Sequence, residues 1–519
     1  MMDATPGECN GAYVAGDSRG EQHEPRFTRK VMQGGKAAVG ITQRARGVLR
    51  RRDPSETVGT RNVVYGPALP DDSTVHLVLE LALRIGEIQM ASGVGASDVS
   101  ATITSVTDAY GLPHCEVDVI YTSITVSCYR GTENLPITSL RVVRNRSLDY
   151  TRLAEVEHLI RRIVAGEITT SDAYAELETI ARAPHPFPRA VSTLAWAGMA
   201  AALSVLLGGG TTPPMLPLVA AASTALVDRV GRLLNQRGLP VFFQQTVGGA
   251  LATSVALACF ATDILPTAAL AVAANIIVLL SGMTVVGSMQ DAITGYNVTA
   301  AGRIAELALT SAGLIAGVVL ALYMALRILG ADALGGGLNV QELGGGVLPF
   351  PGLLELPLQG LAGAATSACF AVASYSPPRP LIMAAGGGAI AALVFQVMAR
   401  IEFNPIFASA IATTIVGFIG GVIARRLRIP VLVVAVSGVA PLLPGLATYR
   451  ALYELSVQGN PTGLSTLMIA AATGLALGAG VVLGEFLSQP VRTGLGRLER
   501  RMSGPRMSGP LRPTSRRLD

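Results

Sequence analysis

Lysine is almost absent from this chain: Lys30 and Lys36 are the only two among 519 residues. Arginine carries the positive charge instead, which reads as base-composition bias rather than function. All five His fall at or before His185, so the apolar region that follows has no imidazole to bind a metal or relay a proton. The five Cys (Cys9, Cys115, Cys128, Cys259, Cys369) are odd in number and lack CxxC spacing, which argues against a disulfide framework. No metal or cofactor is expected. Between 190 and 490 only 21 residues are charged, most of them in short gaps between apolar blocks. No short apolar stretch follows a basic start, so no cleaved signal peptide is expected.

Half of the residues are apolar and 58 are Gly, with mean hydropathy +0.48. Glycine is frequent in membrane helices because it lets backbones approach closely. A membrane span needs about 20 apolar residues. Ten such blocks occur, at 190–208, 213–230, 240–261, 266–287, 304–328, 357–375, 380–399, 404–424, 429–452 and 463–487. They read as two sets of five with similar Ser-Gly segments in the fourth of each, at Ser281-Gly282 and Ser437-Gly438. A duplicated unit with an odd number of spans must enter the membrane in the opposite sense the second time, and inverted repeats are a transporter construction. The expected fold is therefore a polytopic α-helical membrane protein. Ten transmembrane helices form two inverted five-helix repeats, preceded by a small cytoplasmic α/β domain.

The domain boundaries follow from composition. Residues 1–70 form a disordered basic tail, with nine basic residues and no acid in 26–52. Residues 71–188 form the α/β domain: four helical patterns surround CEVDVIYTSITVSC, read as one strand, and LPITSLRVVRN, a second. The first repeat is 189–328, a Gly-rich extracytoplasmic linker is 329–356, the second repeat is 357–490, and 491–519 is an Arg-rich tail. The basic segments read equally as lipid-facing or as solvated tails; nucleic acid is excluded, since neither has aromatics to stack bases. The short loops put Arg229, Arg232, Arg237, Arg303 and Arg379 on one side and Asp263, Glu355, Glu402 and Glu454 on the other. The positive-inside rule then places both termini in the cytoplasm.

Pro441 and Pro444, flanked by Gly438 and Gly445, should interrupt the ninth block. Broken helices in matching places of two repeats point to a transport site. The candidate substrate ligands are Asn275, Ser281, Gly282, Thr284, Ser437, Gly438, Pro441 and Pro444, with Ser437 as the counterpart of Ser281. A buried Asn can equally be interhelical glue. Ionisable groups at membrane depth are costly and usually functional, so Asp291, Glu306, Arg303 and Arg450 are candidates for proton coupling or gating. Arg303 and Glu306 could pair on one helix face. Arg450 is expected near the outer end of its span, leaving no arginine well inside one. Small-xxx-small patterns at Gly417–Gly421, Gly474–Gly478 and Gly480–Gly484 allow close packing within a subunit or in a homo-oligomer.

The run LALRIGEIQMASGVGASDVSATITSVTDAYGLPHCEVDVIYTSITVSCYRG resembles the N-terminal domain of the bacterial threonine/serine exporter family. SGMTVVGSMQDAITGYNVTAAGRIAELALTSAGLIAGV and SGVAPLLPGLATYRALYEL resemble its two membrane halves, here fused on one chain. The first half departs from the family pattern, reading Val286-Gly287 where Pro-Gly is expected. The resemblance implies proton-driven export of threonine and serine across the bacterial cell membrane. Relatives linked to dicarboxylate export make that substrate class an alternative. A membrane-anchored hydrolase is another, but Ser92, Ser97, His114 and Cys115 stand in no GxSxG, HExxH or Cys-His signature.

Overall fold

A computed structural model describes residues 71–129, 135–144, 148–208, 212–280, 282–330, 355–427 and 431–502, all within one unit, Ala68–Asp519. The N-terminal tail, most of the 329–356 linker, Ser281 and the end of the C-terminal tail lie outside the described residues.

The first helix, α1 (Asp72–Ala91), buries Val75, Val78, Leu79, Leu81, Ala82, Leu83, Ile85 and Met90 and keeps His76, Glu80, Arg84 and Glu87 on its polar edge; such a broad apolar face belongs against a core. Around it pack α2 (Ala96–Ala109), α3 (Tyr150–Val164), α4 (Thr170–Arg182) and an antiparallel sheet of β1 (Cys115–Ile120), β2 (Ser123–Cys128) and β3 (Ile137–Val142), in the order β1-β2-β3. Ile124, Val126 and Cys128 of β2 face the core. Asp149 and Thr169 cap α3 and α4, accepting from the backbone N–H groups of Arg152 and Asp172. The single strand expected over CEVDVIYTSITVSC is a hairpin instead. Its two-residue turn has Tyr121 at φ 51°, where Gly or Asn would be usual. Tertiary contact holds this turn: the Tyr121 N–H donates to Thr299 Oγ1 at 3.0 Å. No local turn signal was there to read.

The membrane part begins with α5 (Arg189–Gly208), α6 (Met215–Gln236), α7 (Val241–Ala261), α8 (Ala269–Leu279), α9 (Gly282–Ile293) and α10 (Asn297–Leu329). It continues with α11 (Glu355–Ala373), α12 (Pro378–Arg400), α13 (Pro405–Leu427), α14 (Val431–Val439), a 3-10 turn at Ala440–Leu442, α15 (Gly445–Ser456) and α16 (Thr462–Met502). Among the described residues, seven helices are long and apolar enough to cross a membrane, or nine if each bent pair counts as one span. The expected ten are not reached because of α6. From Met215 its uncharged stretch ends at Val227, before Asp228, Arg229 and Arg232, which is short of a full span. The bent pairs are α8–α9, at 50°, and α14–α15, at 40°.

Helix pairings recur in the two halves. In the first, α5 packs on α6, α6 on α7, α7 on α10 and α9 on α10; in the second, α11 packs on α12, α12 on α13, α13 on α16 and α15 on α16. Two of the three small-residue patterns serve the second set, while Gly478 of the third packs on Met289 of α9. Gly417 lies against Val481, Gly421 against Ser488, Gly480 against Ala410 and Gly484 against Thr414, so α13 and α16 approach within one chain. A Cβ at Gly484 would collide with the Thr414 carbonyl, whereas one at Gly474 would meet nothing within 4 Å. Gly484→Val should therefore cost about 1–3 kcal/mol by overpacking and lower the melting temperature in detergent, with Gly474→Val as the silent control. Equal melting of the two variants would contradict this packing.

Candidate functional site

Two cavities flank the bent pairs. The first, about 370 Å³, lies between α6 and α7 beside the end of α8; it is lined by Asp228, Arg232, Gln244, Gln245 and Leu279, with Trp196 of α5. The second, about 480 Å³, lies between the end of α12 and the start of α13 beside the α14–α15 break; Phe395, Gln396, Ser409, Pro441, Pro444 and Arg450 line it, and Thr466 of α16 closes it. Each cavity is thus bounded by the second and third helices of its half and by the broken fourth.

The breaks are built alike. At the first, the Gly282 N–H donates to the Leu280 carbonyl at 3.0 Å; at the second, the Gly445 N–H donates to the Leu443 carbonyl at 2.8 Å. The expected pairing of Ser281 with Ser437 shifts accordingly. Gly282 begins the helix after its break, as Gly445 does, while Ser437 and Gly438 lie inside α14. There Gly438 packs against Gly387 and Val416, and the buried Ser437 Oγ makes no hydrogen bond. Pro441 and Pro444 line the second cavity. Asn275 is committed between helices: its Nδ2 donates to Ser223 Oγ at 2.9 Å and to the Ala271 carbonyl at 2.8 Å, and its Oδ1 accepts from Thr224. Gly282 faces Leu443 of the other half. Thr284 stands in the first turn of α9.

Asp291, fully buried, takes an ion pair at 3.0 Å from Arg303, itself 5% exposed. Both reach the N-terminal domain. Asp291 Oδ1 accepts from the Ala96 N–H at 2.7 Å, at the start of α2, where the helix dipole favours an anion. Arg303 Nη2 donates to the Val94 carbonyl at 3.1 Å. Beside them Gln290 Nε2 donates to Asp98 at 2.8 Å, Thr299 Oγ1 donates to the Val119 carbonyl at 2.9 Å, and the Tyr121 hydroxyl donates to Glu306 at 3.3 Å. The same domain grips the α11–α12 loop: the N–H groups of Tyr150 and Thr151 donate to the Ser374 and Tyr375 carbonyls, each at 3.1 Å, and His185 stacks on Tyr375. It therefore holds both halves. Sequence reading missed Gln290, Thr299, Tyr121 and Asp98, which become legible only once the two parts touch.

Arg450, expected at the outer end of its span, lines the second cavity five residues after Gly445. The nucleophile candidates are not assembled. Ser92 Oγ donates to the Ile88 carbonyl at 2.8 Å. Burial, with Cys128 alongside, pushes the Cys115 thiol far above its ordinary range.

A many-spanned helical chain with cavities at two broken helices is a membrane transporter by class. The comparisons agree. A family model described as "Putative threonine/serine exporter" matches residues 80–325, and one described as "Threonine/Serine exporter, ThrE" matches 359–487. The chain is 40% identical over 450 residues to a "Probable threonine/serine exporter" of Mycobacterium tuberculosis, covering 86% of this chain and 83% of the relative. It is 37% identical over 438 residues to a "Threonine/serine exporter" of Corynebacterium glutamicum, covering 82% and 85%. No solved structure matches. The chain belongs to the threonine/serine exporter family; it is a multi-pass transporter of the bacterial cell membrane, not an enzyme.

Two outcomes are expected at the domain contact. Asp291→Ala or Arg303→Ala should each cost about 3–5 kcal/mol, because a buried charge loses its partner, and the double replacement should cost less than the sum in denaturant unfolding; additive losses would contradict the pair. Burial, opposed by Arg161 and reinforced by Asp98, raises Glu157 from 4.5 to about 7. The folded state then holds that proton more tightly than the unfolded one, so stability falls as pH rises from about 4.5 to about 7. Glu157→Gln should remove that loss; an unchanged pH profile of melting would contradict it.

Proposed function

We propose that the chain exports threonine and serine, driven by the proton gradient, by opening two related cavities in turn on opposite membrane faces. One observation carries this reading. A single 163-residue offset relates Gly282 to Gly445, Asp291 to Glu454 and Arg303 to Thr466, and the cavities sit at matching places in each half. With five spans in each repeat, α6 included, the second half is inverted. The α6–α7 cavity then faces the cytoplasm, with both termini, and the α12–α13 cavity faces outward. The matched helix pairings of the two halves support the same arrangement.

In this scheme Asp291 and Arg303, bound to the N-terminal domain, form the inner gate. Glu306 and Asp228, the second lining the inner cavity, are the carboxylates available for proton exchange. Pro441 cannot donate to the Ser437 carbonyl, so the helix opens beside the outer cavity, which Pro441 and Pro444 line. The dicarboxylate alternative gains from Arg450, since an arginine does line a cavity. A dicarboxylate needs a second cation, however, and the other described residues lining that cavity are neutral.

Counterflow in proteoliposomes tests the reading. Labelled threonine and serine should exchange, faster with an imposed pH gradient, and succinate should not. Exchange of succinate alone would replace the substrate class, and indifference to the gradient would remove proton coupling.

A further inference from the structure

The two halves distribute their charges differently. At the inner end, Asp291 is neutralised by Arg303, whose guanidinium lies over Gly287. The 163-residue offset places Thr466 at the position of Arg303, Glu454 at that of Asp291 and Arg450 at that of Gly287. Glu454 is held by Thr466, whose hydroxyl donates to it at 2.9 Å. No described carboxylate forms an ion pair with Arg450, and its buried Nε makes no hydrogen bond. The outer half thus carries its arginine one cavity-facing turn before the acid, out of the pair that its counterpart makes.

A guanidinium remains charged at any physiological pH and matches a carboxylate with two parallel N–H donors. A buried, unsatisfied N–H on such a group is costly unless a ligand completes it. Arg450 is the only charged residue described in the lining of the 480 Å³ cavity. Nearby, the buried Ser409 Oγ also makes no hydrogen bond. Gln396 enters from α12, and Phe395 and Leu442 give apolar wall.

From this geometry we infer that Arg450 binds the α-carboxylate of the transported amino acid in the outer cavity, with Ser409 and Gln396 facing the side-chain hydroxyl. The inference rests on the export reading and names its specificity group. The carboxylate takes the fork of the guanidinium, and a single methyl group suits the apolar wall. Arg450 is a recognition residue here and takes no part in proton transfer.

The test uses the full chain in proteoliposomes, with L-threonine against L-threoninamide, which lacks the carboxylate. The wild-type chain should prefer threonine, and Arg450→Gln should raise the KM for threonine on the order of 10- to 100-fold, as expected for loss of charge-assisted hydrogen bonds. Threoninamide should be affected little, so that the preference collapses; Arg450→Lys should restore part of it. A wild-type chain that does not distinguish the two compounds overturns the inference, as does an Arg450→Gln variant that keeps the preference. If Arg450→Gln does not fold, Ser409→Cys with Arg450 intact decides. Its labelling by a maleimide should be slowed by threonine and not by threoninamide, and equal protection or none overturns the inference. A wild-type chain that exchanges neither threonine nor serine sinks the export reading itself, an outcome separate from these.

Discussion

The contact on which the membrane part depends is the crossing of the two broken helices. A Cβ at Gly445 would lie 2.7 Å from the Ala273 carbonyl oxygen, so the start of α15 can rest on α8 only because that residue is glycine. Leu443, at the second break, lies against Gly282 at the first. In hydrocarbon an interrupted helix must bury its freed backbone groups against protein or a water-filled cavity. Here each break shelters the other and has a cavity beside it. Filling the crossing with larger side chains would push the breaks apart and leave those groups without either.

The N-terminal domain is a second consequence of the same economy of charge. Asp291 and Arg303 could not be kept buried singly, and the start of α2 and the carbonyl of Val94 complete their hydrogen bonding. The domain also holds the Ser374–Tyr375 turn of the other half. A body bound to both halves on one face is suited to sense or restrain their relative movement.

Much of this was legible in the sequence. Helix positions follow from apolar blocks, and the four amphipathic patterns of 71–188 give four helices. The interruption at Pro441 and Pro444 needed only the missing proline donors. What was not legible has physical reasons. The β1–β2 turn carries Tyr121, which no turn preference announces, because Thr299 holds it from another part of the chain. The Ser-Gly likeness does not mark the second break, which lies beyond Ser437, and the helices that follow the two breaks begin at Gly282 and Gly445. Arg450 was legible only by its place near the end of its span; that it lines a cavity shows once α12, α13 and the break come together. Asn275, which its type fits either as a ligand or as interhelical glue, hydrogen-bonds Ser223 and Thr224 of α6 from α8.

An inverted pair of halves must open its equivalent cavities to opposite faces of the membrane. Single cysteines at Asn235, in the α6–α7 cavity, and at Phe403, in the α12–α13 cavity, placed in a chain whose native cysteines are replaced, test it in intact cells with a membrane-impermeant maleimide. Phe403→Cys should be labelled from outside, and Asn235→Cys only after permeabilisation. Labelling of both from the same side would contradict the inverted arrangement.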